Sequence, residues 1–160
     1  MSLRNFFNRP DTAGVIAPPP LIYLSGWLAG WLLGRIYPLS WLPDALTWPV
    51  GGLLMVCGVT CAGFAFRAMR RAQTPVDPYS PSTALVVEGP YRYTRNPLYL
   101  ALTLFYVALA GLVNSAWPLL LLPLVLLVMQ QGVIAREERY LEQKFGEQYV
   151  RYKSRVRRWL

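Results

Sequence analysis

Two short polar clusters hold the side chains of this 160-residue chain that are best suited to chemistry. Residues 88–99 contain three tyrosines, two arginines, a glycine and two prolines, and residues 136–139 read Arg-Glu-Glu-Arg. Tyrosines supply flat faces for stacking and hydroxyl donors, while adjacent carboxylates bring negative charge that favours a cationic ligand. Turn-rich polar backbone beside apolar segments must be buried in protein or line a cavity, because lipid cannot satisfy it. These clusters are therefore the candidate functional site.

The chain contains no histidine, and this excludes several kinds of active site. Ser-His-Asp triads, Cys-His pairs and the HExxH zinc motif all require that side chain. Cys57 and Cys61 are four residues apart inside an apolar segment and would share one face of a helix. We interpret them as small packing residues, so that neither a metal site nor a disulfide between them is expected.

Long apolar segments surround the two clusters and must position them. The hydrophobic content of 54% favours a small integral membrane protein over a soluble domain. Four segments are predicted to span the membrane as helices, at about residues 21–37, 48–66, 98–113 and 117–134. The tight Asn114-Ser115 connection makes the last two an antiparallel hairpin, so the two clusters are predicted to be neighbours at one membrane boundary.

Glycines in the first span indicate how it packs. Gly26, Gly30 and Gly34 recur every fourth residue and lie on one face of the predicted helix. Such a groove lets another helix approach closely, so we interpret the stripe as a packing surface.

A loop and a tail complete the predicted architecture. The loop over residues 72–97 contains five prolines, but its tyrosines and aliphatic residues make it too apolar for disorder. We interpret it as an ordered lid or cofactor-binding loop. Apolar residues at helical spacing predict an amphipathic helix over residues 135–157. The prediction is thus a single all-α integral membrane domain over residues 1–160, with about four transmembrane helices, a cytoplasmic loop and a C-terminal amphipathic helix.

The charge distribution predicts the orientation of this domain. Of the sixteen Lys and Arg residues, all except Arg35 lie at the N-terminus (Arg4 and Arg9), between the second and third spans, or after the fourth. By the positive-inside rule, both termini and the central loop are cytoplasmic, which suits a multi-pass protein of a prokaryotic inner membrane. Because topology explains the net charge of +8, no nucleic-acid partner is predicted.

Two interpretations other than a ligand site stay open from the residues alone. Glu137 and Glu138 could pair with Arg92, Arg95 or Arg136 in a solvated network at the membrane boundary. The tyrosines could form an aromatic belt at the interface.

Both clusters resemble parts of a known family signature. The pieces around the first cluster are Leu85-Val86, Gly89-Pro90-Tyr91 and Arg95-Asn96-Pro97-Leu98-Tyr99. The second set comprises Glu137-Glu138, Leu141, Phe145-Gly146, Tyr149 and Tyr152. Over roughly residues 72–158 the chain therefore resembles the isoprenylcysteine carboxyl methyltransferase family and its relatives, the membrane phospholipid N-methyltransferases. The resemblance implies a membrane enzyme that uses S-adenosyl-L-methionine without a Rossmann domain.

The resemblance also implies roles for individual residues. In that family the loop before the third span wraps the cofactor, and an acidic residue after the fourth closes the site. The implied cofactor-binding residues are Thr83, Ala84, Leu85, Val86, Gly89, Tyr91, Asn96, Pro97, Leu98, Tyr99 and Glu137. The implied catalytic residues are Glu137, Glu138 and Arg95. The expected reaction is methyl transfer to a lipophilic acceptor, with a carboxylate, amine or thiol as the reacting group, at the cytoplasmic membrane boundary.

The chain departs from the family pattern at two positions. Asn96 stands where the family usually has histidine; asparagine can replace one imidazole hydrogen bond but cannot titrate near neutral pH. Val133 stands where the eukaryotic carboxyl methyltransferases have an arginine near the substrate, which argues against a prenylcysteine carboxylate. Two alternative functions remain: an NADPH-dependent reductase of the sterol and steroid type, and a non-catalytic membrane subunit that docks a partner or anionic lipid.

Overall fold

The computed structural model describes residues 11–160, which fold into helices joined by turns, with one isolated bridge between Thr94 and Arg157. The helices are α1 (Pro19–Ile36), α2 (Asp44–Arg71), α3 (Pro97–Leu112), α4 (Ala116–Met129), α5 (Ala135–Phe145) and α6 (Glu147–Arg155). A 3₁₀ turn at Gly89–Arg92 precedes α3, and a π-helical turn at Gln130–Ile134 joins α4 to α5. Arg4 and Arg9, which entered the topology prediction, lie outside the described residues.

Each of the four predicted spans corresponds to a helix. Within the described residues, two helical stretches are long and apolar enough to cross a membrane, Asp44–Arg71 and Ala116–Phe145. The first is α2, and the second runs continuously through α4, the π turn and α5. Pro97–Leu112 is a shorter apolar helix. The all-helical fold is thus confirmed, while four membrane crossings and the cytoplasmic termini stay predictions.

The glycine stripe of α1 is the surface that packs against α4. A Cβ at Gly30 would lie 2.6 Å from the backbone N and Cα of Pro118, so that even a methyl group would collide. Gly26 meets the side chain of Val125, and Gly34 meets the hydroxyl of Ser115. The predicted packing role is confirmed, because all three glycines face α4 or the residue before it, and at Gly30 the backbones approach too closely for a side chain.

Helices α3 and α4 are connected by the predicted tight turn but pack mainly on other helices. The turn passes through Asn114, whose φ is +48°. Its side-chain oxygen accepts hydrogen bonds from the backbone N–H groups of Trp41 and Leu42, at 3.3 and 3.0 Å. Helix α3 lies chiefly against α2, and α4 lies chiefly against α1. The Tyr106 hydroxyl links α3 to α4 by donating to the carbonyl of Pro118 at 2.7 Å.

The prediction of one amphipathic helix over residues 135–157 is wrong. Gly146 breaks it into α5 and α6, with φ +54° and ψ −129°, a conformation that side chains other than glycine rarely adopt. The break turns α6 back toward the start of α3, where Tyr149 is 1% exposed. Beyond α6 the chain continues beside residue 95, whose N–H donates to the carbonyl of Arg157 at 2.9 Å.

Candidate functional site

A cavity lies where residues 74–86 of the loop face the start of α3 and the α5–α6 pair. Its volume is about 140 Å³, and a single water needs roughly 10–15 Å³ on the same scale. Its walls are mainly apolar with a few polar groups, which is the usual character of a small-molecule site. The two polar clusters of the sequence meet in this cavity, as the predicted hairpin implied.

Most of the predicted site residues line the cavity. Those that do are Ala84, Leu85, Val86, Tyr91, Arg95, Asn96, Pro97, Leu98, Tyr99, Glu137 and Glu138. Thr83 and Gly89 do not. The two helix ends and the loop therefore bring the residues together, and their roles toward a ligand stay predictions.

Thr83 and Gly89 shape the loop rather than the cavity wall. The Thr83 N–H donates to Thr74 Oγ1 at 3.1 Å, and its hydroxyl donates to the carbonyl of Gln73 at 2.7 Å. These bonds fold the loop back onto the end of α2. Gly89 opens the 3₁₀ turn with φ +59°, a conformation that favours glycine.

Glu137 gives the cavity a carboxylate without a protein counter-ion. The Tyr99 hydroxyl donates to Glu137 Oε1 at 2.6 Å. The ion pairs of the described residues involve Asp11 and other glutamates, but not Glu137. Since the side chain is half-buried and lines the cavity, its charge favours a cationic group of a bound ligand.

Glu138 is held in a buried ion-pair network instead. Arg158 donates from Nε to Oε1 at 2.9 Å and from Nη2 to Oε2 at 2.5 Å, a two-pronged contact. Arg95 Nη1 lies 3.1 Å from Oε1, and both residues line the cavity. The pairing interpretation thus applies to Glu138 with Arg95. It does not apply to Glu137, and Arg136 donates to the carbonyl of Gly14 at 2.8 Å.

The chain after α6 is hydrogen-bonded to the residues before α3, and Asn96 makes one of these bonds. Asn96 Nδ2 donates to the carbonyl of Arg158 at 2.9 Å, and Thr94 Oγ1 donates to the same carbonyl at 3.1 Å. Asn96 therefore uses its amide to hold the tail. Sequence reasoning missed Arg158, since the basic tail was explained by topology and the contacts span 62 residues.

Tyr91 and Tyr152 join the loop to α6 beside the cavity. The Tyr152 hydroxyl donates to the carbonyl of Tyr91 at 2.7 Å. Burial, followed by the neighbouring Tyr152 hydroxyl, raises the pKa of the Tyr91 phenol. Tyr91 is therefore a neutral aromatic wall at physiological pH. Tyr93, in contrast, is 74% exposed and fits the aromatic-belt interpretation.

The segment before α1 covers another side of the cavity, a feature that the sequence did not reveal. Ala13 lines the cavity, and the Ile16 N–H donates to the carbonyl of Gly132 at 3.2 Å. Gly132 lies in the π turn, and π turns occur frequently at functional sites. Lys144 on α5 pairs with Asp11 at 2.7 Å, which ties this segment to α5.

The cysteines lie apart from any metal-binding arrangement in residues 11–160. No group of three His, Cys, Asp or Glu side chains that could hold a metal ion occurs there. Cys57 is exposed, and the Cys61 thiol donates to the carbonyl of Pro97 at 3.3 Å.

Comparisons with known proteins agree with this architecture. The chain matches the phospholipid methyltransferase family over residues 46–148, a range that contains both polar clusters. A stretch of 63 residues, 39% of the chain, is 46% identical to an uncharacterized protein of Haemophilus influenzae over that protein's whole length. No solved structure matches the chain significantly. Because the matched range covers more than half of the chain, the protein belongs to the phospholipid methyltransferase family, the family of the isoprenylcysteine carboxyl methyltransferase-like membrane methyltransferases.

Proposed function

We propose that the protein transfers a methyl group from S-adenosyl-L-methionine to a lipophilic acceptor at the cytoplasmic membrane boundary. Family membership supports methyl transfer in general. The observation that carries the proposal is Glu137, an unpaired carboxylate that receives a hydrogen bond from Tyr99 and lines an otherwise largely apolar cavity. A site of this kind suits a ligand with a positive charge and a flat apolar part.

The residues of the cavity fit this cofactor. Glu137 offers its charge to a cationic group, while Leu85, Val86 and Tyr91 offer aliphatic and aromatic surface to an adenosine. When bound, the sulfonium supplies an activated methyl group for an in-line displacement. The protein then needs to align the acceptor and exclude water, which can contribute about 7–11 kcal/mol to lowering the barrier.

The network separates the roles of the two neighbouring glutamates. A carboxylate or thiolate acceptor needs no general base, but an amine must lose a proton before it reacts. Glu138 has both oxygens occupied by Arg158 and lies beside Arg95, so it is a poor base. Glu137 is taken up by the cationic group of the bound cofactor, so we assign proton acceptance from an amine to water.

The acceptor is proposed to enter from the lipid side. Large apolar side chains of α2 and α4 are exposed on the protein surface, including Phe64 at 60% and Leu124 at 59%. In a membrane these surfaces face lipid, and a lipophilic acceptor can diffuse to the cavity without crossing water. The family name makes phospholipids the first acceptors to test. The same proposal places the cavity end and both termini in the cytoplasm of a prokaryotic cell.

A methyl-transfer assay tests the proposal. Detergent-purified protein is incubated with S-adenosyl-L-methionine that carries a labelled methyl group and with a bacterial membrane lipid extract. We expect label in the organic phase, and a strong reduction with Glu137→Gln. A reductase or a docking subunit would leave the lipids unlabelled, and that outcome, with protein shown to be folded, would contradict the proposal.

A further inference from the structure

Arg95 has buried donors without hydrogen-bond partners at the wall of the cavity. Its side chain is 11% exposed, and neither Nε nor Nη1 makes a hydrogen bond in the described structure. Nη1 lies 3.1 Å from Glu138 Oε1, but in a direction that forms an ion pair without a hydrogen bond. The guanidinium also interacts with the Tyr149 hydroxyl. A buried guanidinium whose N–H donors lack hydrogen-bond partners is energetically unfavourable. An anion that accepts hydrogen bonds from these donors is therefore bound strongly.

Arg158 competes with Arg95 for Glu138. It holds both oxygens of Glu138 in a two-pronged contact, whereas Arg95 makes an ion pair with Oε1 without a hydrogen bond. Arg158 is itself fixed through its backbone carbonyl, which accepts hydrogen bonds from Asn96 and Thr94. The tail thus satisfies Glu138, while Arg95, which lines the cavity, keeps two donors without hydrogen-bond partners.

The cavity therefore contains one negative and one positive side chain that a ligand can neutralise. Glu137 lacks a cation, and Arg95 lacks a hydrogen-bonding anion. A ligand end that carries both an ammonium and a carboxylate can pair its ammonium with Glu137 and its carboxylate with Arg95. S-adenosyl-L-methionine has such an α-amino acid end, so this inference rests on the proposed function.

We propose that Arg95 binds the carboxylate of the ligand's α-amino acid end, and that Arg158 is a positioning residue that keeps Arg95 free for this contact. Arg95 is then a binding residue rather than a participant in the methyl transfer. The arginine–carboxylate pairing is geometrically specific, which lysine cannot reproduce as a two-pronged contact.

Two ligands that differ in one group test the role of Arg95. The full chain in detergent is titrated calorimetrically with S-adenosylhomocysteine and with the analogue that lacks only its carboxylate. We expect the wild-type protein to prefer S-adenosylhomocysteine roughly 10- to 100-fold. Arg95→Gln should remove this preference while the analogue binds as before. If that variant does not fold, Arg95→Lys, which lacks the Nε donor, should still reduce the preference several-fold.

Arg158→Gln tests the positioning role. Without Arg158, Glu138 takes the donors of Arg95, so the preference for the carboxylate should fall about as far as in Arg95→Gln. Arg155→Gln, which removes an exposed arginine of α6, is the matched control and should keep the preference.

The outcomes separate this inference from the proposed function. Binding of S-adenosylhomocysteine without preference over the analogue overturns the role of Arg95 and leaves the proposed function standing. A full preference in Arg158→Gln overturns the positioning role alone. If the folded wild-type protein binds neither ligand, the proposed function fails and this inference fails with it.

Discussion

Replacing Glu137 by glutamine removes the unpaired charge of the cavity and little else. The amide oxygen of glutamine can still accept the hydrogen bond that Tyr99 donates to Glu137 Oε1 at 2.6 Å. Packing is thus retained, and the thermal unfolding midpoint should stay close to that of the wild-type protein. A hydrogen bond to a charged group contributes about 1.5–3 kcal/mol. Glu137→Gln should therefore weaken binding of S-adenosylhomocysteine roughly 10- to 150-fold.

Calorimetric titration in detergent measures this change, with thermal unfolding as the check on folding. Glu142→Gln is the matched control, because Glu142 lies on the same helix and pairs with Lys153 at 2.9 Å on the exposed surface. The control should bind as the wild-type protein does. Equal affinity in wild type and Glu137→Gln would refute the assignment of the cationic ligand group to this carboxylate.

Three further perturbations test other parts of the structure. Gly30→Ala places a Cβ 2.6 Å from the backbone of Pro118 and should destabilise the fold by about 1–3 kcal/mol, which a lower thermal unfolding midpoint would show. Gly63→Ala is the control: a Cβ at Gly63 has no neighbouring atom within 4 Å, so the midpoint should not fall. Tyr152→Phe removes the hydrogen bond to the Tyr91 carbonyl and should destabilise the loop locally by about 1 kcal/mol. Faster amide hydrogen exchange in the loop measures this loss. Because burial raises the pKa of the Tyr91 phenol above its usual value of 10.0, stability is retained below pH 10 and should fall as the pH rises above it. Above pH 10, the thermal unfolding midpoint should fall less steeply with pH in Tyr91→Phe than in the wild-type protein. An equal fall in both proteins would contradict the raised pKa of Tyr91.

The helices could be predicted because their signals are local. Apolar runs of membrane-spanning length gave the spans within a few residues, and the glycine spacing in α1 identified its packing face. The largest error in extent is α2, which runs from Asp44 to Arg71 rather than over residues 48–66. Its ends are more polar than its centre, so hydrophobicity alone set the boundaries too far inward.

The contacts that complete the site could not be predicted, because they depend on residues far apart in the chain. The hydrogen bond from Asn96 to the Arg158 carbonyl spans 62 residues. The hydrogen bond from Ile16 to Gly132 involves a π turn that no local sequence pattern predicts. The break at Gly146 did carry a signal, a glycine directly after a helical stretch. The apolar stripe, which continues with helical spacing through that position, favours one unbroken helix over that signal.

The most direct test of a methyltransferase site is a comparison of two cofactors on the purified protein. Calorimetric titration with S-adenosylhomocysteine and with NADPH asks whether the cavity beneath residues 74–86 accepts the product of methyl transfer. We expect saturable binding of S-adenosylhomocysteine and no binding of NADPH. Binding of NADPH alone would favour a reductase, and binding of neither would contradict a cofactor site in this cavity.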